Sequence, residues 1–279
     1  VLGALRVGCR LTHTGRPFPD RYAAAGGTLY FGVPTVWTRM VAEPGLARHL
    51  ASARLLVSGS AALPVPVFEQ LRALTGQVPV ERYGMTETLI TLSTRHDGER
   101  RPGWVGTPIA GVESRLRRDG CEPVPHDGET IGGLQIRGAT LFDGYLNLPE
   151  TTAESTTDDG WFVTGDAVVI DAGGMHRIVG RASIDIIKSG GFKVGAGEVE
   201  TVLLEHPAVE ECAVVGLPDP DLGERIVAFV VGDITDPDGL GDYVAGALSV
   251  HKRPREVRVV DSLPRNAMGK VQKKQLRQS

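Results

Sequence analysis

The sequence predicts an α/β protein: a parallel α/β layer with a small β-barrel-like part, then a smaller α+β domain. Three observations predict it. Helix-like and strand-like stretches alternate up to Tyr83, short strands broken by glycine turns run from Trp104 to Gly180, and a second strand–helix rhythm follows Asp185. At 279 residues the chain is long enough for two bodies, each with its own core.

The clearest early unit is the strand Leu55-Leu56-Val57, the turn Ser58-Gly59-Ser60-Ala61-Ala62, and a helix from Pro64 to Thr75 with a stop at Gly76. Proline suits a first helical turn and glycine a helix end. A strand at residues 78–80 follows. Such a unit builds a parallel layer, whose ligands gather at the carboxyl ends of the strands. That puts residues 58–62 and the loop from Tyr83, expected to lead from strand to helix, at the working edge. The middle stretch carries Asp119-Gly120, Asp127-Gly128, Gly132-Gly133 and Gly173-Gly174, turn dipeptides of an antiparallel sheet or small barrel. Next, Ile184-Asp185-Ile186-Ile187 leads into the loop Gly190-Gly191, and a helix at 198–205 stops at His206-Pro207. Strands at 212–215 and 226–231, a helix at 240–248 and a strand at 257–260 complete the small domain. The boundary falls between Gly180 and Asp185.

Composition excludes several classes. A net charge of −4 with 41% hydrophobic and 23% charged residues is a globular balance, and it disfavours a nucleic-acid binder that relies on overall positive charge. No apolar run approaches the roughly 20 residues of a membrane-spanning helix. Three widely separated cysteines, Cys9, Cys121 and Cys212, form no disulfide or zinc framework, so a reducing compartment, the cytoplasm, is expected. The charge is uneven: residues 251–279 hold nine Lys/Arg and two Asp/Glu, which suggests phosphates nearby or a solvated basic surface. The apolar, non-Met start Val1-Leu2-Gly3 suggests a piece of a longer chain.

Familiar motifs fail on spacing. Gly269-Lys270 lacks the earlier glycine and following Ser/Thr of a Walker loop, and Gly195-Ala196-Gly197 has Glu200 where a dinucleotide fingerprint needs glycine. The histidines lack metal-ligand spacing, and Ser58-Gly59-Ser60 lacks the glycines of a nucleophile elbow. What survives is an ordered set. Tyr83-Gly84-Met85-Thr86-Glu87-Thr88 offers a stacking face, a hydroxyl for phosphate and a hard-metal carboxylate; Thr86 or Thr88 opening a helix as a capping residue is the bland alternative. Gly160-Trp161-Phe162-Val163-Thr164-Gly165-Asp166, Gly180-Arg181 through Lys188-Ser189-Gly190-Gly191-Phe192, and Pro264-Arg265-Asn266-Ala267-Met268-Gly269-Lys270 follow in order.

Together these segments resemble the adenylate-forming superfamily of acyl-CoA synthetases, adenylation domains and luciferases. The resemblance implies that residues 1–183 are the C-terminal portion of a large ATP- and acyl-binding domain and 184–279 a small mobile domain. The family's first phosphate loop would lie upstream, in a missing half of the enzyme. By the same resemblance, Tyr83 stacks on adenine, and Ser60, Ala61, Ala62, Gly84 and Met85 border the nucleotide. Thr86 touches the α-phosphate, Glu87 helps hold Mg²⁺, and Asp166 and Arg181 reach the ribose. Lys270 is the adenylation lysine, Ser189, Gly190 and Gly191 line the CoA pantetheine tunnel, and Ser183, Ile184 or Asp185 is the hinge.

The substrate reading rests on Arg82. A buried unpaired guanidinium is costly, and a second carboxylate on the substrate would satisfy it; a salt bridge to Glu81 or another acid is the alternative. Glu81-Arg82-Tyr83, residues 97–101, 181–193 and 263–271 resemble malonyl-CoA synthetases, with Arg39 and Ser60 as further candidates for the distal carboxylate. The expected substrates are malonate, ATP and CoA. A medium- or long-chain fatty acyl-CoA synthetase and a noncatalytic AMP- or CoA-binding fragment are the alternatives.

Overall fold

The computed structural model describes residues 6–15, 18–118, 122–182, 185–265 and 271–278. It divides into two compact units, Val1–Gly84 with Leu92–Gly106, and Met85–Thr91 with Thr107–Ser279.

The first unit contains α1 (Pro19–Ala24), β1 (Leu29–Gly32), α2 (Pro34–Val41), α3 (Pro44–Ala47), β2 (Leu55–Ser58), α4 (Val65–Thr75) and most of β3 (Val80–Met85). These helices each carry proline at their start, where the missing N–H costs no hydrogen bond. α4 ends at Gly76 in the left-handed region (φ 71°), its N–H donating to Arg72 O. β1 pairs parallel with β2, and β2 with β3. Trp37, Met40, Leu50, Leu56, Phe68 and Leu71 form the core between strands and helices.

One expectation fails here. The strand expected at 78–80 begins at Val80 and runs on to Met85, so Tyr83, Gly84 and Met85 lie within it. Residues 86–88 then turn into a further strand, β4 (Leu89–Ser93), rather than a helix, which also removes the capping role for Thr86 or Thr88. The run Leu89-Ile90-Thr91-Leu92 is β-branched and apolar without a helical stripe, and strand pairing suits it better.

The second unit opens with β5 (Thr107–Pro108), β6 (Val112–Arg118), β7 (Glu122–Pro123), β8 (Gly132–Gly138), α5 (Pro149–Glu154), β9 (Phe162–Ile170) and β10 (His176–Arg181). Its antiparallel sheet runs β10-β9-β8-β6-β7 and stays open, so among the described residues the barrel-like part does not close. Gly132-Gly133, expected as a turn, lies inside β8. A side chain at Gly132 would come within 2.9 Å of Leu116 and Val124, so the glycine serves packing.

After β10 come β11 (Ile186–Ser189), β12 (Phe192–Gly195), α6 (Ala196–Leu203), β13 (Val209–Asp219), β14 (Gly223–Gly232), α7 (Pro237–Ala247), β15 (Glu256–Val259) and α8 (Lys273–Leu276). The sheet order is β12-β11-β14-β13, with β15 parallel to β14. Val199, Leu203, Ile226 and Val244 form one core cluster, and Val215, Phe229, Leu263 and Leu276 a second. Within this unit α6 starts directly on β10. A Cβ at Gly195 would lie 1.8 Å from Val179 Cγ1, and one at Gly197 2.9 Å from Val179 O.

Candidate functional site

In the first unit the carboxyl ends of β1, β2 and β3 carry the candidate residues. Glu81 is buried on β3, and its carboxylate accepts two backbone protons, from Leu63 N to Oε2 at 3.3 Å and from Gly103 N to Oε1 at 2.8 Å. Burial pushes its pKa from 4.5 to about 7, with the two amide bonds pulling the other way. The carboxylate is thus committed to backbone, and no Glu81–Arg82 ion pair forms among the described residues.

Arg82, next along the strand, is half-buried. Its guanidinium lies 5.1 Å from the ring centroid of Phe31 on β1. It also packs on Gly59, where a Cβ would meet Arg82 Cγ and Nε at 3.2 Å. Its Nε is buried without a hydrogen-bond partner, and burial lowers its pKa. Ser58 Oγ, at the end of β2, is likewise buried and unpartnered. Two orphaned polar atoms at adjoining strand ends are what a polar ligand would satisfy.

Ser60 sits in the left-handed region (φ 73°) and is exposed with Ala61 and Ala62. Arg39 is exposed in the last turn of α2, and no contact joins it to Arg82 among the described residues. Tyr83 and Gly84 are half-buried at the end of β3.

In the second unit Met85 is half-buried and Thr86 exposed on the turn after β3. Glu87 is braced by the 139–145 segment: its carbonyl accepts from Phe142 N at 2.8 Å, and Oε1 accepts from the Tyr145 hydroxyl at 3.0 Å. Phe142 meets Tyr145 and Phe162 edge to face, which fixes that hydroxyl. Burial and the Glu87 carboxylate raise the Tyr145 pKa, so it stays a donor. One braced carboxylate beside an exposed hydroxyl fits Mg²⁺ that arrives with phosphate oxygens and water. No cluster of three metal-ligating side chains occurs among the described residues.

Asp166 on β9 and Arg181 on β10 stand opposite one another in register. Arg181 Nε lies 3.0 Å from Asp166 Oδ1, and NH1 donates to Thr164 O at 2.9 Å. Gly165 beside that guanidinium takes φ 73°, a left-handed conformation that favours glycine. Asp185 Oδ2 in turn accepts from Arg181 N at 2.9 Å. Gly190 and Gly191 form the left-handed turn between β11 and β12, preceded by buried Ser189; open space lies beside Gly191. Ser183, Ile184 and Lys270 fall outside the described residues.

Sequence reasoning placed Ser58 at the working edge but missed Tyr145 and Phe31 as site residues, and passed over Lys273. Lys273 Nζ lies 2.7 Å from Asp185 Oδ1 and 2.8 Å from Glu200 Oε1. Its place three residues after Lys270 in the basic run was the available signal. Nothing in spacing marks Tyr145 or Phe31.

Residues 1–146 match the AMP-binding enzyme family and residues 198–270 the AMP-binding enzyme C-terminal domain. A malonate–CoA ligase of Arabidopsis thaliana is 39% identical, covering 94% of this chain and 46% of its own. The human mitochondrial malonate–CoA ligase is 39% identical, covering 89% and 49%. The chain therefore spans about half the length of the curated relatives it matches. Among solved structures, ATP-bound MatB from Rhodopseudomonas palustris superposes with a TM-score of 0.85 at 39% identity, over 93% of this chain and 52% of that one. A malonyl-CoA ligase with methylmalonyl-CoA and AMP bound has a TM-score of 0.62 at 51% identity, over 95% and 59%.

Proposed function

The chain belongs to the AMP-binding enzyme family, and from that premise we propose that it is the C-terminal part of an AMP-forming acid–thiol ligase. This ligase converts malonate and CoA to malonyl-CoA through malonyl-AMP, releasing pyrophosphate and then AMP, and an upstream half of the same enzyme completes the nucleotide site. Its partners are these small molecules, and the cytoplasm is its compartment, a placement supported by the free thiols of Cys9 and Cys212. Among the described residues no helix is long and apolar enough to cross a membrane.

The observation that carries the substrate choice is Arg82. Its guanidinium is held by Phe31 and Gly59, its Nε lacks a partner, and the neighbouring carboxylate of Glu81 is taken by backbone amides. A fatty acid's methyl end would leave that charge unpaired. Malonate's distal carboxylate pairs with it, and the names of the relatives from Arabidopsis and human point the same way.

The chemistry then follows from charge. A carboxylate is a poor acyl electrophile, so one oxygen of malonate attacks the α-phosphorus of ATP and the bond to pyrophosphate breaks. Lys270 neutralises charge on the phosphoryl oxygens, and Thr86 donates to them. Glu87 would help hold Mg²⁺, which when bound would supply further neutralisation of the phosphoryl charge. Tyr83 stacks on the adenine while Asp166 and Arg181 hold the ribose hydroxyls. CoA sulfur next attacks the acyl carbon and AMP leaves with the electron pair. Gly190 and Gly191 give the thiol's arm a wall with no side chains, and residues 184–279 turn about a hinge at 183–185 to exchange this loop for Lys270.

Arg82→Leu tests the substrate. A charge-assisted contact of roughly 1.5–3 kcal/mol predicts a 10- to 100-fold loss in kcat/KM for malonate. Butyrate turnover should hold or improve. Equal losses for both acids would make Arg82 structural and return the reading to a fatty acid.

A further inference from the structure

Consecutive residues of β3 grip the two ends of one turn. Arg82 packs on Gly59 at its start, where a Cβ would meet Arg82 Cγ and Nε at 3.2 Å. Glu81 accepts the amide proton of Leu63 at its end, at 3.3 Å. Between them Ser60 is held at φ 73°, a conformation that a non-glycine residue keeps only when its surroundings impose it. The other Glu81 oxygen accepts from Gly103 N at 2.8 Å, so the same carboxylate also ties down the segment that carries Arg100 and Arg101.

The backbone of Glu81 is itself fixed. Its N–H donates to Thr94 Oγ1 at 3.1 Å, and its carbonyl accepts from Thr94 N at 3.0 Å. Arg100 donates to Val78 O and His96 O, and Arg101 pairs with Glu99 while lying over Trp104. Glu81 is therefore a buried carboxylate whose acceptor capacity serves backbone amides from two loops, neither adjacent to it in sequence.

We propose that Glu81 is a positioning residue of the acid pocket: by holding Leu63 and Gly103 to β3 it fixes the turn at 58–62, and through Gly59 it fixes the guanidinium of Arg82. The inference rests on the dicarboxylate reading above for its consequence and on local geometry for its mechanism. Substrate need not touch Glu81. What the carboxylate contributes is a turn that cannot shift, so that Arg82 presents its unpaired edge in one place.

Glu81→Gln keeps the volume but puts an NH₂ donor where a second acceptor was, so one of the two amides loses its partner. The test uses the full-length protein. Hydrogen exchange read on peptides spanning 59–64 and 101–105 should quicken at least tenfold in the variant, while peptides from β2 stay unchanged. In the turnover assay, KM for malonate should rise about tenfold with kcat within twofold, and butyrate kinetics should move little. Equal losses for malonate and butyrate, or unchanged exchange in both peptides, would overturn the positioning role. Should the variant fail to fold, the wild type still decides. Leu63 and Gly103 amides must be protected at least 100-fold over the exposed Ala61 and Ala62, and unprotected amides there would refute the clamp. If malonate proves not to be a substrate, the substrate reading falls, whereas the exchange measurements still judge Glu81.

Discussion

Glu198, on α6, is a buried carboxylate that meets two cations, and neutralising it has a calculable effect. Its side chain is 3% exposed and meets two cations, Arg177 NH2 at 3.0 Å and Lys252 Nζ at 2.5 Å. Arg177 lies on β10 and Lys252 on the turn before β15, so one side chain joins three segments. Glu198→Gln preserves the shape, and its carbonyl still accepts from Arg177. The carboxamide NH₂ then faces Lys252, whose side chain is 17% exposed, and an ammonium is left with no counter-charge. Breaking one side of a buried pair costs about 3–5 kcal/mol; the residual solvent access of both cations sets the expectation near the bottom, ~3 kcal/mol. The assay is hydrogen exchange of α6 amides, whose opening should quicken by roughly 100-fold at that cost. Because the pair is shielded from solvent, the effect should persist in 1 M salt. Lys252→Gln added to Glu198→Gln should recover part of the loss. A change below threefold, or one that vanishes in high salt, would show the network to be a surface ion pair and refute the argument.

Two further outcomes are expected. Burial raises Glu81 from 4.5 to about 7, so the folded state favours its protonated form; that stabilisation is full below pH 4.5, declines as pH rises towards 7, and is gone above it. The stability of wild type relative to Glu81→Gln should accordingly fall by about 3 kcal/mol between pH 4.5 and 8, at about 1.36 kcal/mol for each pH unit separating the folded and unfolded pKa values, as read by urea denaturation of both proteins; parallel curves would contradict it. Gly195→Ala places a Cβ 1.8 Å from Val179 Cγ1, an overpacking expected to cost about 1–3 kcal/mol, and Val179→Ala in the same protein should restore most of the lost thermal stability.

The legible parts of the fold were those written in local chemistry. Pro64 and Gly76 bound α4 because proline and glycine act on their own backbone, and Gly190-Gly191 marked a turn for the same reason. Gly132-Gly133 misled because its requirement is not local: Leu116 and Val124 fill the space a side chain would take. The strand through Tyr83 was hidden because Glu81 and Gly84, residue types depleted in strands, interrupt the run from Val80 to Met85, while the β-branched run after it spoke for sheet. In the site, Arg82 was readable as a charge needing a partner. That Glu81 would not be the partner was unreadable, since its bonds go to amides 18 and 22 positions away.

The basic C-terminal run changes meaning once its partners are known. As sequence it offered nine cations for phosphate. Five of them face carboxylates of their own unit: Lys252 with Glu198, Arg253 with Asp242, Arg258 with Glu256, Arg265 with Glu211, and Lys273 with Asp185 and Glu200. Excess charge in this run is therefore largely internal pairing. Lys273 makes the point best. Burial alone would lower its pKa, yet Glu200 and Asp185 outweigh that and raise it, so it stays a cation committed to two carboxylates. Such a lysine is poorly suited to meet a phosphoryl group, whereas it is well suited to hold the start of α8 to Asp185 and Glu200. Arg265 bridges to Val271, and Gln272 N donates to Pro264 O at 2.8 Å, so residues 264–265 and 271–272 lie side by side. With Lys273 paired to Asp185, four residues beyond the end of β10, the stretch that starts α8 is fastened to the proposed hinge. Spacing alone picked Lys270 from this run; the pairing of Lys273 with Asp185 and Glu200 removes Lys273 as a rival for the proposed role.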